Sequence, residues 1–408
     1  MNIETFFNND TEKRFYFPGR IFIGSGVSDK AVELISKHDS VAIVVDCVFA
    51  DSKLLDEIKE KFANKKCHIW VIEGAPFAQD VMSFIDQIGN LPEVVVSIGG
   101  GSAADFAKSI ILYALFGSLE GVGVGPKLGL SRRADSIRPL YIAIPTTAGS
   151  GAESSRYYVT YDKITHAKVY GKTWEIVADW IFLDPLFLAS MSSAALVGCA
   201  FDAFIHLFET LIAKHETSIF GEMFSLNGIP KIMNAIHSAV NEKQRNDFVH
   251  EQLLYGASLA GVAISNIRTG SIHEAAGALL ELTTLSHAET LFVFFRTAIE
   301  QYLAEISSLE ESLIAQLRLL PAFSNFRTLQ DVMSWWEFIF HQVSLDVKIT
   351  EAVSKVEPTL ASAREHIFNR VYSDKVWVGK ESPRILTEKD VWHLVDHSLH
   401  RFGITKIN

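Results

Sequence analysis

An aspartate and a histidine stand one helical turn apart in the apolar stretch AFDAFIHLFETLIA, residues 200–213. Asp202 and His206 are at positions i and i+4, which lie on the same face of a helix. The pair has two interpretations, a hydrogen bond satisfied inside the core or half of a metal site. His273 and His287, 14 residues apart in separate apolar contexts, would complete a set of one carboxylate and three imidazoles. That donor set suits a divalent transition metal.

A glycine-rich turn follows a strand-like run and opens a helix in the segment SIGGGSAADFAK, residues 97–108. Gly99, Gly100 and Gly101 let the backbone approach an anion closely. Ser102 and the first amides of the helix can then donate hydrogen bonds to phosphate. The alternative is a tight strand-to-helix turn that binds no ligand.

Two further segments favour a nucleotide ligand. The segment IPTTAGSGAES, residues 144–154, also follows a strand-like run, and Thr146, Thr147 and Ser150 could line a second side of the same cleft. Asp46 ends the run VAIVVD. An acidic residue there commonly binds a ribose 2′-hydroxyl and repels a 2′-phosphate. A turn cap is the alternative role for Asp46.

The elements that must position these residues change type along the chain. Val/Ile-rich runs alternate with helical patterns in the first half and predict strands at 41–46, 68–74, 93–100 and 140–145. This β-α-β alternation predicts a parallel sheet covered by helices. A 3.6-residue periodicity then continues to the C-terminus. We therefore predict an α/β domain over 1–188 and an all-helical domain over 189–408. The glycine-rich segment 121–139 is expected either to be mobile or to cover the cofactor cleft.

Length and composition limit the class of protein. A chain of 408 residues is too long for one typical core and suggests two domains. We expect no apolar run long enough to span a bilayer, and the N-terminus lacks the pattern of a secretion signal. The net charge of −11 argues against a nucleic-acid partner. Three scattered cysteines without a CxxC motif fit a reducing cytoplasm.

Four ordered motifs resemble the iron-containing (group III) alcohol dehydrogenase family of the dehydroquinate synthase-like superfamily. They are GGGSAADFAK, PTTAGSGAE, FDAFIHLFE and the His273/His287 spacing, and they span about 97–290. The resemblance implies a Rossmann-like dinucleotide-binding domain, an all-α domain, and an active site in the cleft between them. It implies hydride transfer between NAD and a small alcohol or carbonyl compound. Relatives in this family often form homodimers.

The resemblance also assigns roles to individual residues. It implies one divalent metal, Fe(II) or Zn(II), bound by Asp202, His206, His273 and His287. It places the pyrophosphate and the rest of the cofactor beside Gly99, Gly100, Gly101, Ser102, Asp105, Thr146, Thr147 and Ser150. For Asp105, a structural role is the alternative. Asp46 falls where the family discriminates NAD from NADP, which favours NAD.

The chain departs from the family pattern close to these residues. Many members have a second histidine four residues after the third ligand, often assigned to a proton relay, and Gly277 occupies that place. The last motif, usually PHG, reads Ser286–His287–Ala288. These departures predict a changed substrate. Arg268 and Arg156 are candidates to hold the carboxylate or phosphate of an acidic substrate, and ordinary salt bridges are the alternative.

Two other functions fit part of the sequence. The dehydroquinate synthase group shares the fold and uses NAD transiently, but its metal site is flanked by lysines and arginines that the apolar stretch around Asp202 does not supply. The other is a non-catalytic nucleotide-binding relative, and four ionisable ligands would be costly to bury without a metal. We therefore predict a metal-dependent, NAD(P)-linked alcohol dehydrogenase or carbonyl reductase. Its substrate would be a small polar alcohol or aldehyde, and alcohols or aldehydes that carry an acidic group belong to this predicted class.

Overall fold

A computed structural model describes residues 16–17, 19–119, 132–133, 135–165, 167–213, 218–355, 360–373 and 382–402. The strands are β1 (Arg20–Ile23), β2 (Ser40–Asp46), β3 (Lys66–Ile72), β4 (Val94–Gly99), β5 (Leu140–Pro145), β6 (Tyr157–Tyr161), β7 (Lys168–Lys172) and β8 (Trp180–Leu183). The helices among them are α1 (Ser28–Ile35), α2 (Lys53–Lys61), α3 (Ala78–Ile88) and α4 (Gly101–Phe116). Residues 121–131 and 134 of the segment predicted to be mobile or to cover the cleft lie outside the described part.

Helices make up the rest of the described chain. They are α5 (Ser193–Ile212), α6 (Ser218–Val240), α7 (Asp247–Asn266), α8 (Ser271–Leu280), α9 (His287–Tyr302), α10 (Ser307–Leu317), α11 (Leu329–Gln342), α12 (Leu345–Ser354), α13 (Leu360–Ser373) and α14 (Glu388–Arg401). The predicted fold class, an α/β region followed by an all-helical region, is confirmed. A short 3₁₀ turn, Pro185–Leu188, lies at the predicted boundary. The larger apolar cluster continues across that point, so the division into 1–188 and 189–408 stays a prediction.

Six parallel strands form one sheet in the order β1-β8-β5-β4-β2-β3. Alternate residues of β2 face opposite layers. Val41, Ile43 and Val45 pack with α1 and α2, whereas Ala42 and Val44 pack with α3 and α4. Because both faces are covered, these strands are nearly continuous apolar runs, and the sequence pattern predicted them.

The strand order reverses between β2 and β4, since β3 lies on one side of this pair and β5 on the other. Val45 is in register with Ile98, and Gly99 with Pro145, so the carboxyl ends of β2, β4 and β5 meet at one edge. Ligands of open parallel sheets bind outside the carboxyl ends of the strands at such a switch point. The fold therefore brings Asp46 next to the glycine turn.

A two-stranded antiparallel hairpin, β6–β7, was absent from the predicted strands. Its strands are short and alternate buried with accessible residues, so they lack the apolar run that marks the central sheet. The hairpin is attached to α4. The Asp105 carboxylate accepts the Val159 N–H at 3.1 Å, and the Lys108 ammonium donates to the Tyr157 carbonyl at 2.6 Å.

Helix α5 corrects the expectation about bilayer-length segments. It has 20 residues with a mean hydropathy of 1.6 over an 18-residue window, so its length and composition would let it cross a membrane. However, 89% of that window is buried inside the fold. Phe201 of α5, for example, contacts Trp336 and Phe292 at ring-centroid distances of 5.0 and 5.6 Å. The polar residues of α5 interrupt its apolar sequence, so no uninterrupted apolar run is long enough to span a bilayer. The mean hydropathy over 18 residues is nevertheless high, because these polar residues are few.

Candidate metal and cofactor site

Helix α5 presents Asp202, His206 and Glu209 at positions i, i+4 and i+7. The helix begins after Ser192, whose hydroxyl accepts the Ala195 N–H as an N-cap. Apolar neighbours then bury the three side chains, whose accessible fractions are 11%, 8% and 2%. One helical face thus carries two potential ligands and one further carboxylate into the protein interior.

The structure brings the four predicted ligands together. The Oδ1 atom of Asp202 lies 3.9 Å from Nδ1 of His206, 3.9 Å from Nε2 of His273 and 3.6 Å from Nε2 of His287. Two ligand atoms that bind the same ion at about 2.1 Å lie no more than about 4 Å apart. The donor atoms of Asp202, His206 and His273 all lie within 4.8 Å of one another, which fits a single cation, and His287 lies beside Asp202.

The hydrogen bonding of these atoms also fits a metal. Among the described residues, Oδ1 of Asp202, Nδ1 of His206 and Nε2 of His273 are buried and have no hydrogen-bond partner. A core hydrogen bond between Asp202 and His206, the alternative interpretation of this pair, is therefore not formed. Buried polar atoms without partners are costly. A cation that accepts all three lone pairs would remove that cost.

Glu209 positions His273 and was not among the predicted site residues. Its Oε2 atom lies 2.5 Å from Nδ1 of His273, and its Oε1 atom accepts the Ile272 N–H at 2.8 Å. Burial raises the pKa of Glu209 to about 7, although backbone N–H groups of Gly270 and Ile272 oppose the shift. The sequence signal was the Glu that ends FDAFIHLFE, seven residues after Asp202.

His287 is the first residue of α9, and a capping box fixes it. The Ser286 hydroxyl accepts the Glu289 N–H, and the Glu289 carboxylate accepts the Ser286 N–H. Lys348 donates to the same carboxylate at 2.7 Å. The side chain of His287 is 40% accessible, compared with 10% for His273, so it forms the cleft side of the cluster.

The predicted phosphate turn is a close-packed cradle at the carboxyl ends of β2 and β4. A Cβ atom on Gly99 would lie 2.7 Å from Cβ of Ala103 and 3.0 Å from Cβ of Asp46, so only glycine fits. Helix α4 begins at Gly101, and Ser102 is its second residue. The free N–H groups and dipole of a helix N-terminus favour an anion there. The Asp46 carboxylate also caps the next turn by accepting the Val48 N–H at 3.0 Å.

The loop after β5 forms the second side of this cradle, as predicted from its position after a strand. A Cβ atom on Gly100 would lie 2.9 Å from Oγ1 of Thr147, and one on Gly101 would lie 3.1 Å from Oγ of Ser150. Thr146 is buried, and its N–H donates to the Gly99 carbonyl. The two segments therefore meet closely, and only glycine fits at their point of approach.

Asp105, predicted beside the cofactor, and Arg268 and Arg156, predicted as substrate contacts, have partners within the protein. Asp105 bonds to the β6–β7 hairpin, which agrees with its alternative structural role. Arg268 pairs with Glu274 at 3.3 Å. The guanidinium of Arg156 lies 4.7 Å from the ring centroid of Trp174. Contacts of Arg268 and Arg156 with a substrate stay predictions.

Lys168, on β7, acts electrostatically on the ligand cluster, and no prediction from the sequence named it. Burial of the two rings is the main cause that lowers the pKa of His273 and of His287 to about 3. The positive charge of Lys168 lowers both pKa values further. Both rings are therefore neutral imidazoles, which is the form that binds metals. No local sequence pattern indicated Lys168, because only the folded hairpin brings β7 near α8.

Comparisons with known proteins agree with this arrangement. Residues 18–185 match the family model "Iron-containing alcohol dehydrogenase", and residues 196–342 match "Fe-containing alcohol dehydrogenase family, C-terminal". The chain is similar to alcohol dehydrogenase 4 of Saccharomyces cerevisiae, with 27% identity over 67% of this chain and 71% of that protein.

Two solved structures share the fold. The iron-containing alcohol dehydrogenase of Thermococcus thioreducens superposes on this chain with a TM-score of 0.80 at 20% sequence identity. The superposition covers 95% of this chain and 100% of the Thermococcus chain. Sulfoacetaldehyde reductase of Bifidobacterium kashiwanohense, solved with NAD⁺, has a TM-score of 0.76 at 16% identity, with coverages of 97% and 100%. The two family models together match most of the chain, which therefore belongs to the iron-containing alcohol dehydrogenase family, a group of oxidoreductases that act on CH–OH groups.

Proposed function

We propose that this chain is a metal-dependent, NAD-linked alcohol dehydrogenase or carbonyl reductase that acts on a small polar alcohol or aldehyde. The observation that carries the proposal is the buried set of three partnerless donor atoms on Asp202, His206 and His273, with His287 beside them. Sulfoacetaldehyde reductase, a structural neighbour solved with NAD⁺, supports both the cofactor and a polar substrate.

The chain's own residues have separate tasks in this proposal. Asp202 and the three histidines would hold the cation, and Glu209 orients His273 through Nδ1. A divalent cation supplies Lewis acidity toward an alcohol or carbonyl oxygen. The glycine turn and the N-terminus of α4 would bind the pyrophosphate, and Asp46 would select NAD by repelling a 2′-phosphate. A nicotinamide supplies the hydride acceptor or donor.

Gly277 cannot hold a proton, because it has no side chain. Proton transfer at this site would therefore use water or other groups that face the cleft. We also propose a homodimer in the cytoplasm. The dimer rests on the family resemblance, and the three free cysteines support the reducing compartment.

Turnover of the metal-loaded protein tests the proposal. Protein stripped with a chelator and reloaded anaerobically with Fe(II), Zn(II) or Mn(II) should form NADH, measured at 340 nm, from NAD and at least one small alcohol. Asp202→Asn should lose this activity and the bound metal together. NADH should accumulate over many turnovers, whereas a dehydroquinate synthase-like enzyme would release none. Failure of every metal with every alcohol and aldehyde in the panel would overturn the proposal.

A further inference from the structure

One accessible strip of α8 leads from the ligand cluster into the cleft. The helix is otherwise buried, and His273, Glu274, Gly277 and Leu280 are its partly accessible residues. Gly277 is one turn beyond His273, on the same helical face. The surface beside Gly277 is therefore continuous with the surface beside the metal ligands.

Gly277 leaves an opening in this strip that packing does not require. An added Cβ atom would have no heavy atom within 4 Å among the described residues. By contrast, a Cβ on the helical Gly228 or Gly256 would lie 2.6 or 2.5 Å from an apolar side chain. Glycine in a helix interior costs about 1 kcal/mol relative to alanine. We call this opening the Gly277 notch.

Charged side chains of both signs surround the notch. Arg370 of α13 pairs with Glu274 at 3.4 Å and with Glu281 at 3.3 Å, one on either side of Gly277. Arg268 also pairs with Glu274, and His366 lies 2.9 Å from Glu281. We call these charged side chains the rim of the notch. The rim therefore contains both hydrogen-bond acceptors and hydrogen-bond donors, which are the residues Glu274, Glu281, Arg268, Arg370 and His366.

A molecule whose reacting oxygen lies at the ligand cluster can extend along the accessible strip of α8 to the notch.

We propose, on the basis of the function above, that the Gly277 notch holds a branched or ring-sized, hydroxylated part of the substrate. Neutral hydroxyl groups can donate to Glu274 and Glu281 and accept from Arg370. A strongly charged group would meet a like charge on one side of the rim. The substrate class is thus a bulky polyhydroxylated alcohol, or the matching carbonyl compound, and a linear short-chain alcohol leaves the notch empty.

Filling the notch tests this assignment. The probes are 1-propanol and cis-cyclohexane-1,2-diol, with NADH formation followed in the metal-loaded protein. Gly277→Leu should lower the ratio of kcat/KM for the diol to kcat/KM for 1-propanol at least tenfold, because rejecting a few methylene-sized groups changes specificity by about 10–200-fold. Gly277→Ala should lower the ratio by a smaller factor. Ala315→Leu, on an accessible face of α10, is the matched control and should not change the ratio.

The other outcomes separate the two proposals. An equal loss with both alcohols, or an unchanged ratio in Gly277→Leu, would overturn the notch assignment and leave the enzyme function standing. If the Kd for NADH, measured by fluorescence, rises in Gly277→Leu while the ratio is constant, the cofactor occupies the notch and the assignment is wrong. A wild-type protein that oxidises 1-propanol but not the diol, or that oxidises neither of them but another alcohol, would contradict the notch assignment and leave the proposed function standing.

Discussion

Glu209 and His273 lie 2.5 Å apart, with Oε2 of the carboxylate against Nδ1 of the ring. This contact crosses from α5 to α8 and leaves Nε2 of His273 directed toward Asp202. The carboxylate therefore fixes both the tautomer and the orientation of one predicted ligand.

Removing the charge of Glu209 should weaken metal binding. Glu209→Gln keeps the volume of the side chain but loses the carboxylate that orients His273. We expect the affinity for Zn(II) or Fe(II) to fall by about 10–100-fold, as for other residues that support metal ligands. Competition with a chromophoric chelator measures this affinity. Glu365→Gln, an exposed change on α13, is the control, and equal affinities in the two variants would argue against a positioning role.

Asp46 should determine which dinucleotide is used. Asp46→Asn keeps an oxygen that can cap the turn at Val48 but removes the negative charge beside Gly99. We expect the ratio of kcat/KM for NADP to that for NAD to rise by about tenfold, which corresponds to about 1.4 kcal/mol. Steady-state kinetics with both cofactors provide the test. An unchanged ratio would restrict Asp46 to its capping role.

The buried pair of Asp105 and Lys108 should stabilise the β6–β7 hairpin on α4. Lys108 is fully buried, and its Nζ lies 3.7 Å from Asp105. Lys108→Met would leave that carboxylate without its cation, which we expect to cost about 3–5 kcal/mol of unfolding free energy. The double variant with Asp105→Asn should recover part of the loss, because no unpaired charge remains. Urea unfolding of the four proteins gives the coupling energy, and strictly additive effects would contradict this view.

Glu153 should make the protein less stable at neutral than at mildly acidic pH. Burial raises the pKa of Glu153 from 4.5 to about 7. Between these values the unfolded state has released the proton and the folded state still binds it, so stability falls as pH rises from about 4.5 to about 7 and is level above that. Glu153→Gln removes this decline. The variant should gain up to about 3 kcal/mol relative to wild type between pH 4.5 and pH 8, since one pKa unit is about 1.4 kcal/mol.

Denaturant unfolding at several pH values, with chelator present, measures the Glu153 effect. Asp105 and Glu209, whose pKa values burial also raises, are the same in both proteins, so the difference between them isolates Glu153. A difference that does not vary with pH would show that Glu153 is ionised in the folded protein.

Local patterns along the sequence predicted the main elements and their order. The Val/Ile-rich runs indicated β2 through β5, because a strand buried on both faces must be apolar at every position. The i, i+4 spacing of Asp202 and His206 placed both on one face of α5, since that follows from helical geometry alone. Strands β1 and β8 and the hairpin β6–β7 were not among the predicted strands. They are short, and the hairpin residues alternate in burial, so tertiary contacts rather than local periodicity stabilise them.

The sequence by itself determined the donor types, the glycine turn and the absence of a side chain at Gly277. Only the tertiary structure decided which atoms meet. His273 and His287 approach Asp202 because α5, α8 and α9 pack together. The hairpin β6–β7 takes its place through its hydrogen bonds to Asp105 and Lys108 of α4. Contacts between residues far apart in the chain depend on how whole elements pack, and no local spacing encodes that packing.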